Sequence, residues 1–257
     1  MSANGHNLVN FTKSLCGLLG ASSETTKVSL NIVSASESLD DQVDRQSEIN
    51  TSALFMTFSR VFTDLAIVLE LRPEIIGDIC DLLAMACAGQ SDDLIVNPTH
   101  TDYAGYIAQI PRVYRQKTGA VLALVSAIST GKTDRAFLER AIDLGHTVQC
   151  YHDLVELREG CFSDLELGRL NFAWMCADAK NPDKTVSLYT SWKRSIGNIK
   201  AAETVGKELE RISSFQVELS ELRERARLAC YHLANCGSPH GIAQVLDSLP
   251  IPGAKGA

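Results

Sequence analysis

One apolar helical stretch follows another along this chain, and no segment shows the strict alternation of a half-buried strand. Apolar residues recur at helical spacing over about 6–20, 24–46, 50–71, 74–95, 102–129, 133–158, 162–179, 184–197, 199–235 and 239–248. The punctuation agrees: Arg72-Pro73, Asn97-Pro98 and Asn181-Pro182 each close a segment, and Gly131 and Gly237 are natural stops. Pro111 falls inside a helical pattern and is expected to kink or restart it. Segment 50–71 is apolar around more than half its circumference, as expected of a helix buried among others. The fold class is therefore all-α: a single helical domain over 1–249 with a disordered tail over 250–257.

At 257 residues the chain can bury one large core. Its net charge is −7 with no Lys/Arg cluster, which argues against a nucleic-acid partner. Most of its eight cysteines sit in apolar helical patterns without a C-x-x-C pair, which favours reduced core thiols and a cytoplasmic protein. The N-terminus lacks the pattern of a signal peptide, and nothing approaches the roughly 18 apolar residues of a membrane span.

Against this apolar background, Ser38-Leu39-Asp40-Asp41-Gln42-Val43-Asp44 stands out. Asp40 and Asp44 are four apart and Asp41 and Asp44 three apart, so a helix points all three carboxylates one way. Like charges stacked so closely need an offset. Hard divalent cations such as Mg²⁺ take carboxylate oxygens and bridge to phosphates; a solvated acidic face is the plainer alternative.

Four further segments accompany it. Gly89-Gln90-Ser91-Asp92-Asp93 ends a helix with Gln90 and Asp93 three apart, which could equally be a polar terminus. Arg115-Gln116-Lys117-Thr118-Gly119 puts a lysine at the mouth of an apolar run, suited to an anion although snorkelling is the default. Gln149-Cys150-Tyr151-His152-Asp153-Leu154-Val155-Glu156 repeats the first acidic spacing with a weaker ligand set. Ser163-Asp164-Leu165-Glu166-Leu167-Gly168-Arg169 sets an arginine after a short acidic turn. Two other signals carry no weight. Thr130-Gly131-Lys132-Thr133 lacks the first glycine of a phosphate-binding loop, since Ser126 stands there. Cys230, His232, Cys236 and His240 fit no zinc spacing.

Taken in order, these pieces over about residues 24–180 resemble the trans-isoprenyl diphosphate synthase (polyprenyl synthetase) family. LDDQVD is similar to its first aspartate-rich motif, GQSDD to its G-Q-x-x-D, and RQKTGAVLAL to its K-T helix start. QCYHDLVE stands where the family has Q-x-x-D-D-x-x-D, and SDLELGR where it has G-K. The resemblance implies an isoprenoid-synthase helical bundle around a central cavity, Mg²⁺ as cofactor, an allylic isoprenyl diphosphate as substrate, and a homodimer. It places metal on Asp40, Asp41 and Asp44, and opposite them on Asp153 and Glu156. Lys117 and Arg169 would hold the diphosphate with Gln90 and Gln149 in support, and Asp93, His152 and Arg45 are further candidates. Phe55, Phe62 and Trp174 are candidate wall residues, with ordinary core as the plainer reading of each. Ala35 and Ser36, small and just ahead of the first aspartate, would leave room for a donor of farnesyl size or longer.

The departures matter as much. No basic G-K-R-type segment precedes Asp40, and Asp44 is followed by Arg45-Gln46-Ser47 where elongating synthases carry R-R-G, so the isopentenyl acceptor site looks absent. His152 and Glu156 replace aspartates, and neutral histidine is a poor Mg²⁺ ligand. The pattern is closest to ComQ-type isoprenyltransferases, which prenylate a small peptide. That implies transfer to an acceptor other than isopentenyl diphosphate; a terpene cyclase and a non-catalytic partner subunit are the alternatives.

Overall fold

The computed structural model describes residues 5–44, 51–95, 98–235 and 238–249; within them, the side chains of 5–7, 39–44, 51–55 and 58 lie outside the description. The described residues are helical with no strand. In chain order they form α1 (Gly5–Leu18), α2 (Ser23–Asp44), α3 (Thr51–Leu71), a 3₁₀ turn (Pro73–Ile75), α4 (Ile76–Ile95) and α5 (Tyr103–Tyr114). A π-helical turn (Arg115–Gly119) then leads into α6 (Ala120–Thr130) and α7 (Arg135–Arg158). After these come α8 (Ser163–Leu167), α9 (Ala173–Lys180), α10 (Pro182–Trp192), α11 (Ile199–Ser213), α12 (Gln216–Leu233) and α13 (Pro239–Asp247).

Local chemistry sets many of the boundaries. Asp102, Asp134 and Asn181 each accept a backbone N–H of the helix they open, and Pro182 follows Asn181 where a missing N–H costs nothing. Gly131 and Gly168 close α6 and α8 in the left-handed region, at φ 72° and 77°. Helix α6 is the axis of the bundle: every residue from Ala120 to Ser129 is buried, against α4, α7, α1 and α2. At the other end of the chain, α13 packs on α1 and α12.

Four expectations need correction. Helix α5 does not restart at Pro111 but continues past it, and the break in its ladder comes one turn later, at Arg115–Gly119. The segment 162–179 is broken, because left-handed Gly168 ends α8 before α9 begins. The segment 199–235 is two helices, parted by Ser214 and Phe215, both at positive φ, with the Phe215 ring wholly buried as their hinge. Helix α3 packs on α2 but stays peripheral: Met56, Leu69 and Leu71 are exposed, and Phe62 is 69% exposed and so no wall residue. Trp174 is core, stacked among Tyr106, Tyr189 and Trp192. Phe55 lies outside the described side chains.

The seven described cysteines are free thiols; Cys16, Cys150, Cys176 and Cys230 are buried, while Cys80 and Cys87 are exposed. Among the described residues no helix is long and apolar enough to cross a membrane. Residues 250–257 lie outside the description.

Candidate active site

The site grows from the π-helical turn, where one extra residue is held in the ladder between α5 and α6. Two helices press on this turn. A Cβ on Gly89 of α4 would stand 2.5 Å from the Lys117 nitrogen, and one on Gly145 of α7 would stand 2.4 Å from the Thr118 carbonyl oxygen. Only glycine allows either approach. The clamp brings the GQSDD end of α4 and the QCYHDLVE face of α7 to opposite sides of Lys117 and Thr118.

From α4, the Asp93 carboxylate accepts a hydrogen bond from Lys117 Nζ at 3.0 Å, with the two side chains 12% and 15% exposed. The lysine therefore does not snorkel into solvent. The second Asp93 oxygen, Oδ1, is buried and has no hydrogen-bond partner among the described residues. Gln90 is half-buried on the preceding turn. From α7, Gln149 accepts the Thr118 hydroxyl at 2.6 Å and donates to Asp153 Oδ1 at 3.0 Å. The other Asp153 oxygen accepts the Tyr114 hydroxyl and, at 2.8 Å, the Phe172 amide. His152 Nδ1 faces Glu156 Oε2 at 3.5 Å, one helical turn apart.

Arg169 follows left-handed Gly168 and is 8% exposed. Its carbonyl oxygen accepts the Tyr106 hydroxyl at 2.7 Å, and that of Leu170 accepts the Tyr114 hydroxyl at 3.1 Å. Asp164 accepts from Asn171 Nδ2 at 3.3 Å. Burial, then Asp153, Glu156 and Asp93, hold the Asp164 carboxyl well above the usual range, against the pull of Lys117. Burial likewise lifts Asp153 to about 6, although its hydrogen bonds and His152 pull the other way.

Asp93, Lys117, Gln149, Asp153, Glu156 and Asp164 thus share one partly desolvated region. It holds more carboxylates than cations and includes a buried carboxylate oxygen with no donor among the described residues. This excess of negative charge suits a neighbouring cation, although among the described residues no three His, Cys, Asp or Glu side chains gather closely enough to hold a metal ion by themselves. Helix α2 carries Asp40, Asp41 and Asp44 on its last turns, but their side chains, and Arg45 altogether, lie outside the described residues. Earlier on α2, Ala35 is buried and Ser36 half-buried. Sequence reasoning assigned no role to Tyr106, Tyr114, Thr118, Asp164 or Asn171. Thr118 and Asp164 lay inside segments already singled out; the two tyrosines carried no signal beyond their place on α5.

No protein-family model matches the sequence, and no curated protein sequence does either. Solved structures do match in fold. The crystal structure of a polyprenyl synthetase from Streptomyces coelicolor A3(2) superposes with a TM-score of 0.65 at 14% identity, over 94% of this chain and 83% of that one. A geranylgeranyl pyrophosphate synthase from Lactobacillus brevis ATCC 367 gives 0.65 at 12% identity, over 96% and 85%. A polyprenyl synthase from Caulobacter crescentus CB15, complexed with calcium and isoprenyl diphosphate, gives 0.63 at 16% identity, over 95% and 82%. The all-α fold of this chain is the fold of those synthases.

Proposed function

We propose that this protein is a Mg²⁺-dependent prenyltransferase that ionises an allylic isoprenyl diphosphate and gives the prenyl group to an acceptor other than isopentenyl diphosphate. The observation that carries this reading is the Asp93–Lys117 pair, placed beside Asp153, Glu156 and Asp164 at a π turn of a bundle with the fold of polyprenyl synthases. The Caulobacter synthase, complexed with calcium and isoprenyl diphosphate, supports both a divalent metal and this class of donor.

In this reading Asp40, Asp41 and Asp44 hold Mg²⁺, with Glu156 contributing from α7. The metal supplies charge stabilisation to the departing diphosphate. Lys117 and Arg169 bind the diphosphate oxygens as fixed cations, supported by Gln90 and Gln149. The allylic C1–O bond breaks heterolytically, its electron pair stays on the diphosphate, and the allylic cation remains in the central cavity. Cations held in place beforehand favour that separation more in a dry site than in water. The acceptor's nucleophile then forms the new bond to carbon and loses its proton. Small Ala35 and Ser36 leave space for a farnesyl or longer tail. A peptide is the acceptor class suggested by the likeness to ComQ-type enzymes, and the lack of an R-R-G element after Asp44 supports a non-isopentenyl acceptor.

We also propose a homodimer in which a second copy covers part of α3, where Phe62 and Leu69, seven residues apart, present one exposed apolar face.

The test is diphosphate release from geranyl, farnesyl and geranylgeranyl diphosphate with Mg²⁺, in wild type and Asp40→Ala, with the organic products identified. Mg²⁺-dependent release lost in the variant supports the reading, and release stimulated by a peptide fixes the acceptor class. A cyclised product would make the protein a terpene cyclase. Release unchanged in Asp40→Ala would refute the proposed metal site.

A further inference from the structure

We infer that Asp153, the one aspartate left in the second acidic motif, is not a metal ligand in this chain but a positioning residue: with Tyr114 it clasps the loop that carries Arg169. The inference rests on the reading of Arg169 as a diphosphate anchor.

Both oxygens of Asp153 are committed. One accepts Gln149 Nε2 at 3.0 Å; the other accepts the Tyr114 hydroxyl and, at 2.8 Å, the Phe172 amide. The residue is 1% exposed. An ionised carboxylate has about four acceptor positions, and three are filled here by protein donors. An ion taking any of the three filled positions would leave the Gln149 amide or the Phe172 N–H without its partner, or push the Tyr114 hydroxyl onto the Leu170 carbonyl alone, which is a penalty away from water. His152 and Glu156 face each other one turn apart, and among the described residues no three His, Cys, Asp or Glu side chains gather closely enough to hold a metal by themselves, so Glu156 would meet an ion only together with the aspartates of α2.

What the clasp holds is specific. On α5, Tyr106 donates to the Arg169 carbonyl, Tyr114 shares its one hydroxyl hydrogen between Asp153 and the Leu170 carbonyl 3.1 Å away, and Asp153 takes the amide of Phe172. Left-handed Gly168 stands just ahead, where an added Cβ would meet Ile196 and Pro98 at 3.2 and 3.3 Å. The main chain on both sides of Arg169 is therefore fixed before any ligand arrives, so less conformational freedom is lost on binding. Gln149 extends the same network to Thr118, next to Lys117. One buried carboxylate thus sets the two proposed diphosphate anchors in register.

Asparagine in place of Asp153 can keep this clasp: its carbonyl serves Tyr114 and Phe172, and a flipped Gln149 amide accepts from its NH₂. Alanine cannot. The experiment uses the full chain and three variants, Asp153→Asn, Asp153→Ala and Tyr114→Phe. Mn²⁺ binding is counted by electron paramagnetic resonance, inorganic pyrophosphate binding is followed by calorimetry, and amide exchange is measured over residues 168–173. Asp153→Asn is expected to keep the wild-type number of Mn²⁺ ions and the slow exchange. Asp153→Ala and Tyr114→Phe are expected to keep Mn²⁺ binding, lose protection at Phe172 and Ala173, and weaken pyrophosphate binding about fivefold. Loss of an ion, or Mn²⁺ binding about tenfold weaker, in Asp153→Asn with exchange unchanged would overturn the inference. Unchanged exchange in both Asp153→Ala and Tyr114→Phe would overturn it as well. Failure of the wild type to bind pyrophosphate would instead refute the diphosphate reading, while exchange still decides whether the clasp exists.

Discussion

Two buried aspartates flank the π turn, and they are used in opposite ways. Asp93 gives one oxygen to Lys117 and has no donor for the other among the described residues, whereas Asp153 spends both oxygens on three protein donors. A carboxylate with an unmet oxygen still has affinity to offer a cation; one that already takes three donors has used most of it to fix the backbone. Residue type and spacing do not separate these cases, because both aspartates sit at positions matching acidic motifs.

Lys117→Ala strikes the Asp93 side and should have the largest effect. It leaves a buried carboxylate with no counter-charge, so chemical denaturation is expected to show a loss of about 3 kcal/mol, together with loss of pyrophosphate binding. Gly145→Ala pushes a methyl group into the Thr118 carbonyl and shifts the turn that separates the two aspartates. It is expected to cost about 2 kcal/mol in the same assay while leaving every charge in place. Tyr114→Phe removes one donor from Asp153 and is expected to cost about 1 kcal/mol.

Protonation offers a finer test of the same contrast. Asp153 is held at about 6 by burial, against an ordinary 3.8, so the native state takes up a proton that the unfolded chain releases. Its favourable contribution is present below pH 3.8 and is lost as pH rises through about 6. Asp153→Asn is therefore expected to flatten the stability–pH curve across that window, as read by denaturant midpoints. The smallest stability effect belongs far from the turn: Phe62→Glu on exposed α3 should change stability by less than about 0.5 kcal/mol. Light scattering should nevertheless show the proposed dimer weakened by it.

Much of the fold was legible because its signals are local. Asp102, Asp134 and Asn181 cap helices, proline and glycine mark their ends, and the stretch Ala120–Ile128, apolar but for Ser126, became the buried axis. Helix α3 misled because apolarity reports what a helix can bury, not which neighbours it finds; α2 covers one side only. Pro111 misled because the interruption was fixed by packing: Gly89 and Gly145, distant in sequence, both close on residues 116–119. The candidate site was legible as segments in order, and Asp93, Lys117, Gln149 and Asp153 do meet. The Tyr106–Tyr114 clasp was not, since it depends on carbonyls of a loop some 55–65 residues away, whose position no local pattern encodes.

The central claim is that these residues hold a diphosphate with divalent metal. Calorimetric titration of the full chain with farnesyl diphosphate, with and without Mg²⁺, tests it most directly when repeated on Asp41→Asn and Lys117→Ala. Binding that requires Mg²⁺ and is lost in both variants is the expected result. No binding by wild type, or binding indifferent to Mg²⁺ and to both substitutions, would contradict it.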